Sequence, residues 1–465
     1  MSQGRISASG DMDRRSFLKR AGIGAAAVSL AAGARGTRVL GANERINIGV
    51  IGVGGRGGGL CRDLINGSKG PESNWQVIGV CDVWDGRTQR IVEYSGGAAK
   101  AFRDYRELLR MPELDAVVIG TPDHWHAKIS IDAMRAGMDV YCEKPMTLYW
   151  RQAKRVAQVA RETGAIFQCG AQSASDGNWW TAGDVVAQGG IGPVVWTQGG
   201  QFRNNPSGDW NWGIQDADPN KDLDWDMWLG WKWDLAPKRP YDAERYSRFR
   251  KYWDYSGGLA TDLLYHTWAH LMIGIGPQFP VAVTAGGANP VHTLENDNRE
   301  VPTVFHIVAS FAGRTPLASS QHTAHLIGTQ ENETGEPDMI RGQKATLQTD
   351  GGEVKIVPEQ PFRDEMMELA HTLECYEGAK LVTEGNSGTG KLQEIRVPNR
   401  YNWGDHMDNW LQCLRTREEP TLNADRAYQV MVPIALSVIS YRQGRVVYFD
   451  PEKERVVDSM PTLGG

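Results

Sequence analysis

Asp262 and His266 stand four residues apart in the run Gly257-Gly258-Leu259-Ala260-Thr261-Asp262-Leu263-Leu264-Tyr265-His266, whose pattern predicts a helix. At that spacing both side chains share one face, so the carboxylate orients the imidazole and raises its basicity, as a general acid-base group requires. His270 extends the same face by another turn, and the residues alone leave a metal site as a rival reading. His322 and His325 are too isolated to interpret.

A second constellation is glycine-rich. The turn Gly52-Val53-Gly54-Gly55-Arg56-Gly57 follows the apolar, β-branched run from Ile46 to Ile51, which is how a first strand delivers a helix N-terminus to a pyrophosphate. Gly52 permits the tight turn, Gly54 lets phosphates approach the backbone, and Gly57 lets the helix pack on the sheet. A second predicted strand, Val77 to Cys81, ends in Asp82, whose carboxylate can accept from both adenosine-ribose hydroxyls and would repel a 2′-phosphate. The reading is NAD rather than NADP, although Arg56 and Arg87 lie close enough in sequence to pull the other way.

The chain continues with a predicted strand from Ala116 to Gly120 and the loop Thr121-Pro122-Asp123-His124-Trp125-His126. A helix from Ala127 to Ala136 follows, then a strand from Asp139 to Cys142 that enters Glu143-Lys144-Pro145. Lys144 thereby falls at the carboxyl edge of a parallel sheet, where such folds bind ligands. His126 reads equally as a group that orients a cofactor and as a satisfied helix cap.

The Gly-rich turn, the TP..H loop and the EKP tripeptide, in this order and spacing, resemble the Gfo/Idh/MocA family of nicotinamide-dependent sugar and cyclitol oxidoreductases. The resemblance implies that Lys144 lies beside the nicotinamide and the reacting hydroxyl, that the Lys144-Pro145 bond is cis, and that Asp262 and His266 form the second catalytic element. It also implies a site that needs no metal. Lys144 and His266 would share the substrate proton, with Asp262 holding His266 and Glu143 tuning Lys144. Cofactor contacts are expected from Gly52, Gly54, Gly55, Arg56, Gly57, Asp82, Thr121, Pro122, His126, Glu143, Lys144 and Pro145.

Beyond Gly170 the pattern changes to short strands, among them Pro193 to Gly199, Val281 to Gly286, Thr303 to Phe311 and Lys344 to Thr349. The expected architecture is α/β followed by α+β: an N-terminal Rossmann dinucleotide-binding domain over residues 43–170, then an open, largely antiparallel sheet domain over residues 171–465 with C-terminal helices. Those helices, Asp405 to Arg417 and Asp425 to Tyr441, would brace the two halves. Seven tryptophans (Trp210, Trp212, Trp225, Trp228, Trp231, Trp233 and Trp253) interleave with Asp209, Asn211, Asp224 and Asp226. Flat rings beside carboxylates and amides suit a carbohydrate, though most of these rings are expected to pack a long loop or an oligomer interface. A homo-oligomer formed through the C-terminal sheet is the expected assembly.

At the other end, Asp13-Arg14-Arg15-Ser16-Phe17-Leu18-Lys19 precedes a short Gly/Ala-rich apolar run and resembles a twin-arginine (Tat) signal over residues 1–42. Removing those residues takes the net charge from -6 to -11. That acidity, without a basic cluster, argues against nucleic acid as a partner. No apolar stretch reaches membrane-spanning length. Six cysteines without CxxC spacing read as reduced, buried thiols. The expectation is a periplasmic or otherwise exported NAD-dependent oxidoreductase acting on a secondary hydroxyl of a sugar or sugar derivative, with a tightly bound cofactor that can be recycled in place. Two alternatives stand beside it: an NAD-dependent glycoside hydrolase working by transient oxidation, and a non-catalytic, nucleotide-loaded sugar-binding protein.

Overall fold

The computed structural model describes residues 45–70, 73–290, 297–313, 321–386 and 390–461, and the expected signal at residues 1–42 lies outside the described residues. Ile46, Ile48 and Val50 of β1 (Ile46–Ile51) are fully buried. The strand pairs in parallel with β2 (Trp75–Cys81) and with β4 (Ala116–Ile119). A central parallel strand is covered on both faces, so it reads as a continuous apolar run rather than an alternation. With β3 (Lys100–Phe102), β5 (Asp139–Glu143) and β6 (Phe167–Gly170) the sheet runs β3-β2-β1-β4-β5-β6. Its order reverses between β1 and β4, and the crevice at the carboxyl ends of those strands is where an open α/β sheet binds ligands.

Helices α1 (Gly55–Gly67), α2 (Asp85–Tyr94), α3 (Asp123–Arg135) and α4 (Trp150–Thr163) connect these strands. The sequence reading starts the third of them at Ala127, whereas α3 begins at Asp123, with Pro122 at its N-cap position. Pro122 has φ near -60°, which suits a helix entry, and Asp123 places an acid in the first turn where the helix dipole favours one. His124, Trp125 and His126 are therefore first-turn residues, not loop.

After α5 (Gly177–Ala187) comes the second sheet. It holds β7 (Val194–Asn204), β8 (Ala282–Ala288), β9 (Val304–Phe311), β10 (His322–Thr329), β11 (Glu331–Asn332) and β12 (Met339–Gly342). The rest are β13 (Ala345–Asp350), β14 (Glu353–Pro358), β15 (Lys380–Thr383), β16 (Leu392–Pro398), β17 (Val447–Asp450) and β18 (Arg455–Val457). The order is β15-β16-β14-β13-β12-β7-β10-β9-β8-β17-β18, with β11 pairing β7. Every described pairing in it is antiparallel except β7 with β10. Alternation is clear in β13 and β14, where Leu347, Val354 and Ile356 are fully buried while Thr346, Gln348 and Lys355 are not.

Helix α6 (Tyr265–Ile275) packs against α5 and β7, and α8 (Ala424–Gln443) lies against α4 and β8. Between them in sequence, α7 (His406–Thr416) is capped by Asp405 and sends the fully buried Trp410 edge-on against Tyr141 of β5, 5.7 Å between ring centres. The C-terminal helices thus join the two sheets. Among the described residues no helix is long and apolar enough to cross a membrane, and all six cysteines are buried and unpaired.

Candidate functional site

A cleft of about 960 Å³ opens where β1 and β4 diverge and runs on to the residues ahead of α6. At the turn, Gly52 has φ +83°, a left-handed conformation that a side chain would strain. A Cβ on Gly57 would stand 1.9 Å from the Gly52 carbonyl oxygen, so α1 seats directly on the turn only because position 57 has no side chain. Gly55, by contrast, faces open space.

Asp82 leaves the end of β2 and organises this rim. Its carboxylate accepts from the Val53 N–H at 3.0 Å and the Trp84 N–H at 3.0 Å, and pairs with Arg87 Nη1 at 3.4 Å. Arg87 donates from Nη2 to Gln215 Oε1 at 2.5 Å, and its guanidinium lies over the rings of Trp84 and Tyr246. Nearby, Thr121 Oγ1 is buried and lacks a hydrogen-bond partner among the described residues. An orphaned hydroxyl, a bare glycine turn and an acid at the tip of β2 fit a dinucleotide, with Gly54 and Gly55 at the pyrophosphate and Asp82 at the ribose.

Deeper in the cleft, Lys144 Nζ donates to Asp262 Oδ1 at 2.5 Å and to the Asp262 main-chain carbonyl at 2.9 Å. Arg250 Nε reaches the same Oδ1 at 2.7 Å, and Trp210 Nε1 donates to Oδ2 at 3.2 Å. Burial opposes ionisation of Asp262, but Arg250 and Lys144 outweigh it and hold the carboxyl well below the usual carboxylate range. Trp210 adopts φ +64°, costly for a bulky side chain by about 1–3 kcal/mol and a mark of functional sites.

The expected contact between Asp262 and His266 is absent. Residues Ala260–Leu264 form a π-helical turn that passes into α6, so the i,i+4 ladder on which that contact rests is replaced by i,i+5 spacing at this point. The carboxylate is already filled by Lys144, Arg250 and Trp210, and the His266 imidazole has no hydrogen-bond partner among the described residues. Burial, and then the charge on Lys144, push that imidazole down to about 3, leaving it neutral near pH 7. His270 turns elsewhere: Nε2 meets Asp338 Oδ2 at 2.7 Å, Nδ1 meets Ser173 Oγ at 3.0 Å, and the ring stacks on Trp179. Among the described residues no group of three or more His, Cys, Asp or Glu side chains is arranged to hold a metal.

The cleft brings Gly52, Gly54, Gly55, Arg56, Asp82 and Thr121 together with Pro122, Glu143, Lys144, Asp262 and His266. Glu143 takes Arg56 Nε at 2.7 Å and the Lys144 N–H at 3.2 Å. Gly57, Pro145 and His126 stand behind the wall rather than in it. His126 spans the Pro145 carbonyl at 2.7 Å and the Thr121 carbonyl at 2.9 Å, so it braces two site loops instead of touching a ligand. The Lys144-Pro145 peptide is cis. Of the seven tryptophans, Trp210, Trp212 and Trp228 line the cleft. Trp225 stacks on Trp228 at 4.7 Å and Trp233 packs on Trp125 at 5.5 Å, which is loop packing. Arg250 and Gln215 escape sequence reasoning because they sit in an irregular stretch with no periodicity; a basic residue twelve positions before Asp262 is no signal until the chain folds back.

Residues 46–171 match the model of the oxidoreductase family described as GFO_IDH_MocA, NAD-binding Rossmann fold, and residues 197–293 match that family's C-terminal alpha/beta domain. Over these two stretches the chain is similar to the Gfo/Idh/MocA oxidoreductase family, and its N-terminal sheet matches that family's NAD-binding Rossmann fold. It is 31% identical over 160 residues to an inositol 2-dehydrogenase of Rubrobacter xylanophilus, covering 34% of this chain and 44% of that one. It is also 31% identical over 160 residues to glycosyl hydrolase family 109 protein 2 of Shewanella sp. strain ANA-3, covering 29% and 34%. The chain spans about half the length, or less, of the curated relatives it matches. A solved structure, the WlbA dehydrogenase of Bordetella pertussis in complex with NADH and UDP-GlcNAcA, superposes with TM-score 0.58 at 18% identity, covering 88% of this chain and 98% of that one.

Proposed function

We propose that this chain is an NAD-dependent oxidoreductase acting on a secondary hydroxyl of a sugar or sugar derivative, exported folded with its nucleotide in place. The observation that carries the reading is the meeting of Lys144, Asp262 and His266 in the cleft that begins at the Gly52–Gly57 turn. The nicotinamide, when bound, supplies the two-electron acceptor or donor for the carbinol carbon. Lys144 has three N–H bonds, and Asp262 takes two of them through its carboxylate and carbonyl, which leaves one to hold the substrate oxygen. His266, neutral and unengaged, is the group able to accept the hydroxyl proton. Asp262 fixes the direction of Lys144 and is itself fixed by Trp210 and Arg250.

The inositol dehydrogenase likeness and the aromatic wall of Trp210 and Trp212 support a polyhydroxylated substrate. The twin-arginine segment supports export, because that route moves folded proteins and lets a tightly held cofactor travel with them. The open face of the second sheet leaves Ile327 of β10 and Val357 of β14 exposed and is the surface through which copies of the chain would associate.

The test begins with denaturing the purified protein and assaying the released nicotinamide, then following nicotinamide reduction on a panel of sugars and cyclitols. Bound NAD(H) and net reduction with at least one of them are expected. Cleavage of an aryl glycoside without net reduction would replace this reading with the hydrolase one, and sugar binding without turnover of either kind would replace it with the binding-protein one.

A further inference from the structure

Arg250 is only partly accounted for by its partners. Its Nε is spent on Asp262, while Nη1 and Nη2 take no hydrogen bond among the described residues, and the side chain lines the cleft at 22% exposure. Its guanidinium lies over the rings of Phe249 and Trp212, 4.7 and 5.9 Å from their centres. These contacts fix the plane of the fork without using its outer nitrogens.

The charges around it are unevenly shared. Lys144 and Arg250 share one carboxylate, Asp262. Arg56 is matched by Glu143, and Arg203 at the rim by Asp209 at 3.8 Å. Asp123 also lines the cleft, buried, where burial pushes its carboxyl up while His126 and Arg250 pull it back. His266 is neutral near pH 7. Arg250 therefore shares its one bonded carboxylate with Lys144 and turns a planar fork with two unengaged nitrogens to the space a substrate must fill.

We infer that the substrate is an acid sugar, a uronate or aldonate, whose carboxylate is received by Nη1 and Nη2 of Arg250 while its neighbouring hydroxyls meet Lys144 and His266. The inference rests on the oxidoreductase reading above and narrows it. A carboxylate matches the free guanidinium fork in a bidentate, charge-assisted pair.

The test is calorimetric titration of the nucleotide-loaded protein with matched pairs: D-glucuronate against D-glucose, D-galacturonate against D-galactose, D-gluconate against D-glucitol, and D-glucose 6-phosphate alongside. At least one acid is expected to bind about tenfold or more tighter than its neutral partner, the worth of a charge-assisted bidentate pair. Arg250→Gln should abolish that preference, and Arg250→Lys should restore only part of it. Neutral sugars binding as tightly as their acids, or the phosphate binding tighter than every acid, would overturn the inference while leaving the oxidoreductase reading in place. Binding of NAD with none of these sugars would overturn both. Because the comparison of acid with neutral is made on the unmutated protein, a variant that fails to fold does not blunt it.

Discussion

Lys144 and Asp262 are 118 residues apart in sequence and are joined twice, Nζ to carboxylate oxygen at 2.5 Å and Nζ to main-chain carbonyl at 2.9 Å. One contact comes from the end of a parallel strand and the other from a π-helical turn, so the pair ties the nucleotide-binding sheet to the helix that carries His266. Asp262→Asn removes the only carboxylate that Lys144 and Arg250 share and leaves two poorly compensated cations. It should destabilise the protein by about 3–5 kcal/mol, read from urea unfolding, besides lowering turnover. Lys144→Ala should lower kcat by about a hundredfold or more while leaving NAD affinity nearly unchanged, since the turn at Gly52–Gly57 is untouched. Normal turnover in Lys144→Ala would remove the site from consideration.

Acid should weaken the fold through two buried histidines. Burial pushes the imidazoles of His124 and His266 down to about 3, so between pH 6.5 and pH 3 the unfolded chain binds protons that the folded chain does not. Stability from both residues is therefore fully present above pH 6.5 and is lost as pH falls toward 3, at up to about 1.4 kcal/mol per pH unit for each proton. Asp262, held low in the folded state, adds a loss of the same sign at the acid end of that range. His266→Gln should flatten the stability profile over this window, and an unchanged slope would contradict the assignment.

Asp82 has two tasks, since it caps the turn through the Val53 and Trp84 N–H groups and restrains Arg87. Asp82→Ala should cost NAD about 1–3 kcal/mol of binding free energy, the worth of charge-assisted hydrogen bonds to the ribose. The same change frees Arg87 for a 2′-phosphate, so NADP should bind no worse than before, or better. Titration of both nucleotides into both proteins decides it.

Two glycines of one motif should respond differently to the same methyl group. Gly57→Ala drives a Cβ into the Gly52 carbonyl and should cost about 1–3 kcal/mol or more, with loss of nucleotide. Gly55→Ala meets nothing within 4 Å and should leave the folded stability almost unchanged. Thermal melts of the two variants, with and without NAD, compare them directly.

Lys251 is almost fully buried, and its ammonium reaches Asn211 Oδ1 at 2.9 Å, Glu244 at 2.8 Å and Asp297 at 2.8 Å. Asn211 lies between the cleft-lining Trp210 and Trp212, so the buried ion cluster anchors the segment that presents them. Lys251→Met should destabilise by about 3–5 kcal/mol and raise KM for any sugar more than it lowers kcat, because the wall moves while Lys144 and His266 stay.

What the sequence by itself determined is whatever depends on neighbours along the chain. The run from Ile46 to Ile51, the bare turn after it and the acid after Cys81 fix a nucleotide cradle through local backbone geometry, and the EKP tripeptide places Lys144 at a strand end in the same way. The helix ahead of His266 was equally legible, but not its register, because a π turn closes its hydrogen bonds over five residues instead of four and leaves no mark in the hydrophobic pattern. His126 shows the same limit: its spacing marks a site loop, while the two carbonyls that claim its ring belong to Thr121 and to Pro145, nineteen residues on. Only the tertiary structure decided that Asp262 serves Lys144 rather than His266, and that Arg250 enters the site at all. Both depend on which charged groups meet once the irregular stretch ahead of α6 folds over the sheet. In that buried space a carboxylate goes to the cations that reach it first, whatever its spacing from a histidine on its own helix.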